Sequence, residues 1–169
     1  MQKLEFKLRD FNINDADSVA ENANNFNVSK FLMDRFPYPY TRKDALEFIE
    51  IFIPGITGKI FAIDVAGSAV GAIGLHIQKD EYRFNAELGY WLGEPYWNNG
   101  IITSAVKSIV KYGFENLEIN KIYAKVYEPN KVSSIVLVKN GFKVEARLAN
   151  NAFKNGMLVD ELIYSRFRE

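Results

Sequence analysis

The sequence predicts a mixed α/β (α+β) domain: a mostly antiparallel central sheet of about seven strands, flanked by about four helices, with one parallel βαβ pair. Three observations lead there. Short stretches of period-two alternation recur along the chain, helical periodicity interrupts them, and residues 84–117 run strand, tight turn and helix before another strand follows. A strand, a helix and a second strand in that order pair in parallel within one sheet. With 169 residues, 48% of them hydrophobic, the chain can bury one good core and is short for two, so residues 1–169 are expected to form a single domain.

The elements follow in order. Leu4, Phe6 and Leu8 alternate with Lys3, Glu5, Lys7 and Arg9, the pattern of a strand with one wet face. Asn14, with Asp17 three residues on, is expected to cap a helix running to about Asn24, with Ala16, Val19, Ala20 and Ala23 on its apolar side. Phe31 to Tyr40 holds two prolines and several aromatics, a loop with more apolar surface than a solvated linker needs. It either covers a core edge or lines an acceptor pocket. Thr41 and Asp44 cap the next helix, whose face carries Ala45, Phe48, Ile49 and Phe52, and Pro54-Gly55 is expected to stop it. Two strands, 60–66 and 70–77, surround a turn at Gly67-Ser68, and a polar turn near 79–83 leads into the central strand. These three strands make an antiparallel meander.

The central strand divides into two faces. Phe84, Ala86, Leu88, Tyr90 and Leu92 share one parity; Asn85, Glu87, Gly89 and Trp91 share the other. A carboxylate and a bare backbone on one face mark a place where something other than a side chain packs. The turn Trp97-Asn98-Asn99-Gly100 follows, and Ile101, Ile102, Ala105, Val106, Ile109, Val110 and Phe114 then recur at the helical period. Asn and Gly accept left-handed backbone, so successive amides can converge on an anion where the helix begins, with the Thr103 hydroxyl near. Beyond it, Ile122, Ala124 and Val126 alternate with Tyr123, Lys125 and Tyr127. A short helix then starts at Asn130 or Lys131 and stops at Gly141, and strands 144–148 and 162–167 flank a polar turn at 154–156.

Composition narrows the function. Twenty-one basic residues balance 21 acidic ones, so no global field draws the protein to nucleic acid or an anionic membrane. The absence of cysteine excludes disulfides, thiolate metal sites and a cysteine nucleophile; no metal is expected, and acyl transfer would pass directly from donor to acceptor. No stretch approaches the roughly 18 apolar residues of a membrane span, and the N-terminus lacks a signal pattern, so cytoplasmic residence is the default. His76 is the single histidine; a strand histidine is commonly structural, yet a neighbouring strand can bring it near Glu87.

AELGYWLGEPYWNNGIITSAV, followed by YEPNKVSSIVLVKNGF, resembles the GNAT superfamily of acetyl-CoA-dependent N-acetyltransferases, and within it the RimJ/RimL type of ribosomal-protein N-terminal acetyltransferases. The matching segments are Ala86 to Trp91, Trp97 to Gly100, Asn130 to Ser133 and Lys139 to Phe142, and the likeness covers nearly the whole chain. The resemblance implies a GNAT-like sheet whose parallel strands splay to admit coenzyme A. It implies acetyl-CoA bound by the main chain of Leu88, Gly89, Tyr90, Trp91 and Leu92, by the turn and helix start from Trp97, Asn98, Asn99 and Gly100 through Ile101, Ile102 and Thr103, and by Asn130 and Ser133. Glu87 matches a general base, with His76 as the alternative, and Ser133 matches a serine proposed to protonate the leaving thiolate, with Tyr127 and Tyr123 as alternatives. Phe36, Tyr38, His76, Glu87 and Phe153 are the expected acceptor contacts, and Lys107, Lys111 and Lys131 the candidates for the 3′-phosphate. The chain departs from the pattern at Asn98, Ile102, Ser104 and Ala152. The implied activity is acetyl transfer to a primary amine, at a peptide or protein N-terminus or on a small amine. The alternative is an acyl-CoA-binding regulatory protein without turnover, and a homodimer is among the expected assemblies.

Overall fold

The alternating segment at the centre of the chain forms strand β4, Asn85–Leu92, and every other element is placed relative to it. A computed structural model describes residues 4–52 and 58–169. The strands are β1 (Lys7–Arg9), β2 (Gly58–Val65), β3 (Ser68–Ile77), β4, β5 (Lys121–Tyr127), β6 (Lys143–Lys154) and β7 (Met157–Phe167). The helices are α1 (Ala16–Ala23), α2 (Phe26–Ser29), α3 (Arg42–Phe52), α4 (Ile101–Asn116) and α5 (Lys131–Lys139). One seven-stranded sheet runs β1-β2-β3-β4-β5-β7-β6; its pairs are antiparallel except β4 with β5. Among the described residues no helix is long and apolar enough to cross a membrane.

The two faces of β4 bury against different partners. Ala86, Leu88 and Leu92 join Ile73, Leu75, Ile122 and the α4 side chains Val106 and Ile109 in one core, which Leu137 of α5 completes. Trp91 faces the other way, with Ala72 and Ala62 of the neighbouring strands, under Val19 of α1 and Ile49 of α3. The sheet is thus sandwiched, with α1 and α3 on one side and α4 and α5 on the other.

Local chemistry explains most boundaries. Thr41 and Asp44 cap α3 reciprocally: the Thr41 N–H donates to Asp44 Oδ2 at 2.7 Å, and the Asp44 N–H to Thr41 Oγ1 at 3.3 Å. The residues that Pro54-Gly55 was expected to shape lie outside the described residues. The first cap differs from expectation. Asn12, rather than Asn14, accepts from the Asn14 N–H at 2.9 Å, Asp15 returns the bond to the Asn12 N–H at 2.9 Å, and a single 3-10 turn precedes α1. Asp15 is drawn there by Arg9, whose guanidinium donates bidentately to it at 2.7 Å and to Asp64 at 2.6 Å. The β2–β3 turn centres on Ala66 and Gly67, φ 52° and 89°, one residue earlier than read from sequence, because a two-residue hairpin turn needs positive φ at both positions. Gly141, at φ 79°, ends α5 as expected.

Candidate active site

The β4–β5 ladder has three rungs: Asn85↔Lys121, Ala86↔Ile122 and Glu87↔Tyr123. Beyond the third, β4 continues to Leu92 against β3, and β5 continues to Tyr127 against β7. The facing edges of Leu88–Leu92 and Ala124–Tyr127 therefore carry no strand between them, and main-chain groups line a gap. Gly89 sits at its mouth; a Cβ placed there would meet only His76 Nε2, at 3.9 Å.

The turn beyond β4 carries the backbone strain that its Asn and Gly residues permit. Asn98 has φ 62° and Gly100 φ 72°. The first bond of α4 runs from the Ser104 N–H to the Gly100 carbonyl at 3.1 Å, so the N–H groups of Ile101, Ile102 and Thr103 precede any bond the helix can give them. A Cβ on Gly100 would meet nothing within 4 Å, so the space in front of that helix end is open. Together these features suit an anion. Other side chains of the turn serve the fold: Trp97 Nε1 donates to the Leu92 carbonyl at 2.8 Å, and Asn99 Nδ2 to the Tyr96 and Trp97 carbonyls at 3.2 and 2.9 Å. Ile102 packs against the α4-side core, so its bulk does not narrow the helix end.

Glu87 stands on the last rung. The Tyr123 hydroxyl donates to Glu87 Oε2 at 3.2 Å, Lys125 Nζ lies 3.6 Å from the same oxygen, and His76 is its cross-strand partner on β3. Burial, with Glu87's charge adding to it, pushes the Tyr123 phenol up to about 12, so it stays a donor at neutral pH. Burial also lowers His76 below the ordinary imidazole value; Glu87 opposes that shift and Arg35 adds to it. Tyr123, an alternative acid on sequence grounds, is thus placed as a partner of the carboxylate.

Asn130 caps α5 and binds Ser133 twice: its Oδ1 accepts from the Ser133 N–H at 3.3 Å, and its Nδ2 donates to Ser133 Oγ at 3.1 Å. Tyr127 lies elsewhere, beneath the β6–β7 tip. Lys154 Nζ sits 5.9 Å from its ring and donates to the Leu32 carbonyl at 2.8 Å and Asp34 at 2.7 Å. Burial raises the Tyr127 phenol, with Glu161 and Asp34 contributing. This clamp between the hairpin tip and the loop after α2 has no local sequence signal, since its partners are about 120 residues apart.

The expected aromatic contacts separate. Phe36 packs on Tyr40 at 4.8 Å and Trp91 at 5.7 Å, making it part of the α1–α3 core. Tyr38 is exposed and leans on Phe26 at 5.7 Å. Phe153 is exposed and paired with Leu158; strand alternation sends it to the face opposite Lys154, away from Glu87. Of the lysines considered for a phosphate, Lys107 is exposed, Lys111 lies 3.8 Å from Glu115, and Lys131 pairs with Glu128.

The family model for the acetyltransferase (GNAT) domain matches residues 5–143. A putative ribosomal N-acetyltransferase, YdaF of Bacillus subtilis, is 35% identical over 59% of this chain and 54% of its own length. The chain thus spans about half the length of that relative. The uncharacterized N-acetyltransferase p20 of Bacillus licheniformis is 29% identical over 94% of this chain and 90% of its own. A crystal structure of a GNAT-family acetyltransferase from Bacillus anthracis shares the fold, with a TM-score of 0.84 at 24% identity over 98% of this chain and 96% of the other.

Proposed function

We propose that this chain, which belongs to the acetyltransferase (GNAT) family, moves an acetyl group from acetyl-CoA to a primary amine by direct transfer in a ternary complex. The observation that carries this reading is the position of Glu87: a carboxylate held on the last rung of the parallel ladder, where the strands part. Acetyl-CoA supplies the acetyl group as a thioester. The N–H groups of Ile101, Ile102 and Thr103 hold its phosphates, and the open edge of Leu88–Leu92 holds its pantetheine arm. A main-chain N–H on that edge, aimed at an acyl oxygen, stabilises negative charge there without rearrangement.

Glu87 receives the proton of the attacking amine. Tyr123 and Lys125 both occupy Oε2, which fixes the carboxylate and leaves Oε1 to face the acceptor. The acceptor is a peptide or protein N-terminus, or a small amine, in preference to a polyamine. Lys125 and Lys154 each offset one carboxylate, Glu87 and Asp34, and so reduce the acidic surface that a polycation needs. The description of YdaF as a putative ribosomal N-acetyltransferase supports the same choice.

Thermal melting with acetyl-CoA, followed by thiol release on a panel of amines, tests the reading. Stabilisation with release on peptide α-amines supports it. Stabilisation without release on any amine class would favour a regulatory acyl-CoA-binding protein. In direct competition monitored by mass spectrometry, predominance of acetylspermidine would overturn the acceptor assignment.

A further inference from the structure

We propose that Lys154 is a positioning residue that sets acceptor specificity: it ties the turn at residues 33–36 across one face of the β4–β5 gap, and the window left there admits a slender amine-bearing chain end and turns away a bulky one. The inference deepens the acetyl-transfer reading and rests on it.

The frame of the window follows from register. Glu87 and Tyr123 share the last rung, so Gly89 and Trp91 of β4 and Lys125 and Tyr127 of β5 follow them on the same face of the sheet. From Glu87 to Trp91, and from Tyr123 to Tyr127, is four strand residues, roughly 13 Å. That length bounds the opening. One end is closed by the rung itself, where the Tyr123 hydroxyl meets Glu87 Oε2 at 3.2 Å.

The other end is closed by residues from distant parts of the chain. Phe36 packs on Trp91, ring centroids 5.7 Å apart, which fixes the turn to the β4 arm. Lys154 Nζ lies 5.9 Å from the Tyr127 ring and donates to Asp34 Oδ1 at 2.7 Å and to the Leu32 carbonyl at 2.8 Å, which fixes the same segment to the β5 arm. The two arms are thus strapped together. The Phe36 N–H donates to the Met33 carbonyl at 2.8 Å, so the link is one tight turn, with the Cα atoms of Asp34 and Phe36 no more than about 7 Å apart. Asn155 Nδ2 adds a second tie, to the Lys30 carbonyl at 3.1 Å.

Lys154 differs from an ordinary surface partner of a carboxylate. Its side chain is 11% exposed while that of Asp34 is 84% exposed, so the lysine has folded inward to reach a main-chain carbonyl instead of keeping its ammonium in water. An ion pair to so exposed a carboxylate contributes little; the carbonyl bond is the firmer part of the tie. An amine that approaches Glu87 on this face passes between the rung and the strap. A wide side chain beside that amine meets the turn.

The test combines strap mobility with acceptor choice. Lys154→Met keeps the aliphatic stem over Tyr127 and strands no buried charge, since Asp34 is exposed. Asn155→Gly removes the second tie at a position of φ 51°, which glycine adopts without strain. Amide hydrogen exchange over residues 31–36 is followed by mass spectrometry, and kcat and KM are measured with glycine-initiated and tryptophan-initiated tetrapeptides. The wild type should prefer the glycine peptide. Lys154→Met should exchange faster over 31–36 and raise the tryptophan-to-glycine ratio of kcat/KM by roughly 5- to 20-fold, chiefly through KM of the tryptophan peptide. Acetyl-CoA affinity should stay within about 2-fold, Asn155→Gly should shift the ratio less, and Lys154→Arg, which can still reach the carbonyl, should restore it. Unchanged exchange in Lys154→Met would overturn the proposal, as would faster exchange with an unchanged ratio, equal loss on both peptides, or a wild type indifferent to the first residue. No product from the wild type on any amine would instead remove the acetyl-transfer reading, and the proposal with it; the exchange data, which need no acceptor, tell that failure from a strap that does not form.

Discussion

The Tyr123 hydroxyl and Glu87 Oε2 meet at 3.2 Å across the last rung of the parallel ladder, so the feature that opens the gap also anchors the carboxylate at its mouth. Glu87→Gln should lower turnover by roughly 10²- to 10⁴-fold with little change in acetyl-CoA affinity. Tyr123→Phe, which removes the hydroxyl from Oε2 but leaves Lys125 beside it and keeps the charge, should cost less, on the order of 10-fold. Steady-state kinetics with the best peptide acceptor separates them; a loss confined to KM in Glu87→Gln would assign that residue to amine recognition.

Gly100 tests the anion site. Its φ of 72° resists a β-branched side chain, and the space before it is open, so Gly100→Val should abolish acetyl-CoA binding through backbone strain and crowding of the ligand. Gly100→Asn, which tolerates left-handed backbone, should retain more affinity. Calorimetry on folded variants decides it, and an unchanged dissociation constant in Gly100→Val would remove the phosphate cradle.

Arg9 tests the fold's acid response. Burial alone would raise the Asp15 and Asp64 carboxyls, but bonds from Arg9 and from the Asn12 and Gly67 N–H groups hold both below the usual carboxylate range. Folded values below the unfolded value of about 3.9 mean stability fully present above that pH and lost as pH falls through the folded values. Arg9→Leu leaves two buried carboxylates with backbone N–H bonds but without their counter-charge, which should cost about 3–5 kcal/mol at neutral pH. The variant should then gain stability on acidification where the wild type loses it, a reversal of slope visible in urea melts between pH 3 and 7.

His76 titrates with the same sign at higher pH and for a different reason, burial favouring its neutral form. Burial holds it below the ordinary imidazole value, so its contribution to stability is complete above about pH 6.5 and shrinks as pH falls toward the folded value. His76→Gln should flatten stability between pH 7 and 5 and, with Glu87 as base, leave kcat/KM within about 10-fold. A loss comparable to that of Glu87→Gln would move the base to His76.

Much of this arrangement was legible in the chain. The parity of Ala86 to Leu92 assigned the two faces of β4, because side-chain direction in a strand is a local property. The helix start at Ile101, the left-handed turn before it and the Thr41–Asp44 cap were equally readable, since each is settled within a few residues. Errors were also local in kind: Asn12 displaced Asn14 as a cap once Arg9 claimed Asp15, a partner six residues away. The four-residue α2 went unread, being too short for periodicity to show.

What the sequence by itself determined is the set of elements, the open helix end and the candidate residues that line a site. Only the tertiary structure decided which of them meet. That the ladder between β4 and β5 stops at Glu87 and Tyr123, and that β7 lies between β5 and β6, are choices of pairing no strand pattern encodes. Phe36 packed on the α1–α3 core and Trp91, and Lys154 closed on Asp34. Each of these contacts joins residues far apart in the chain, where register and burial, rather than local preference, set the distance.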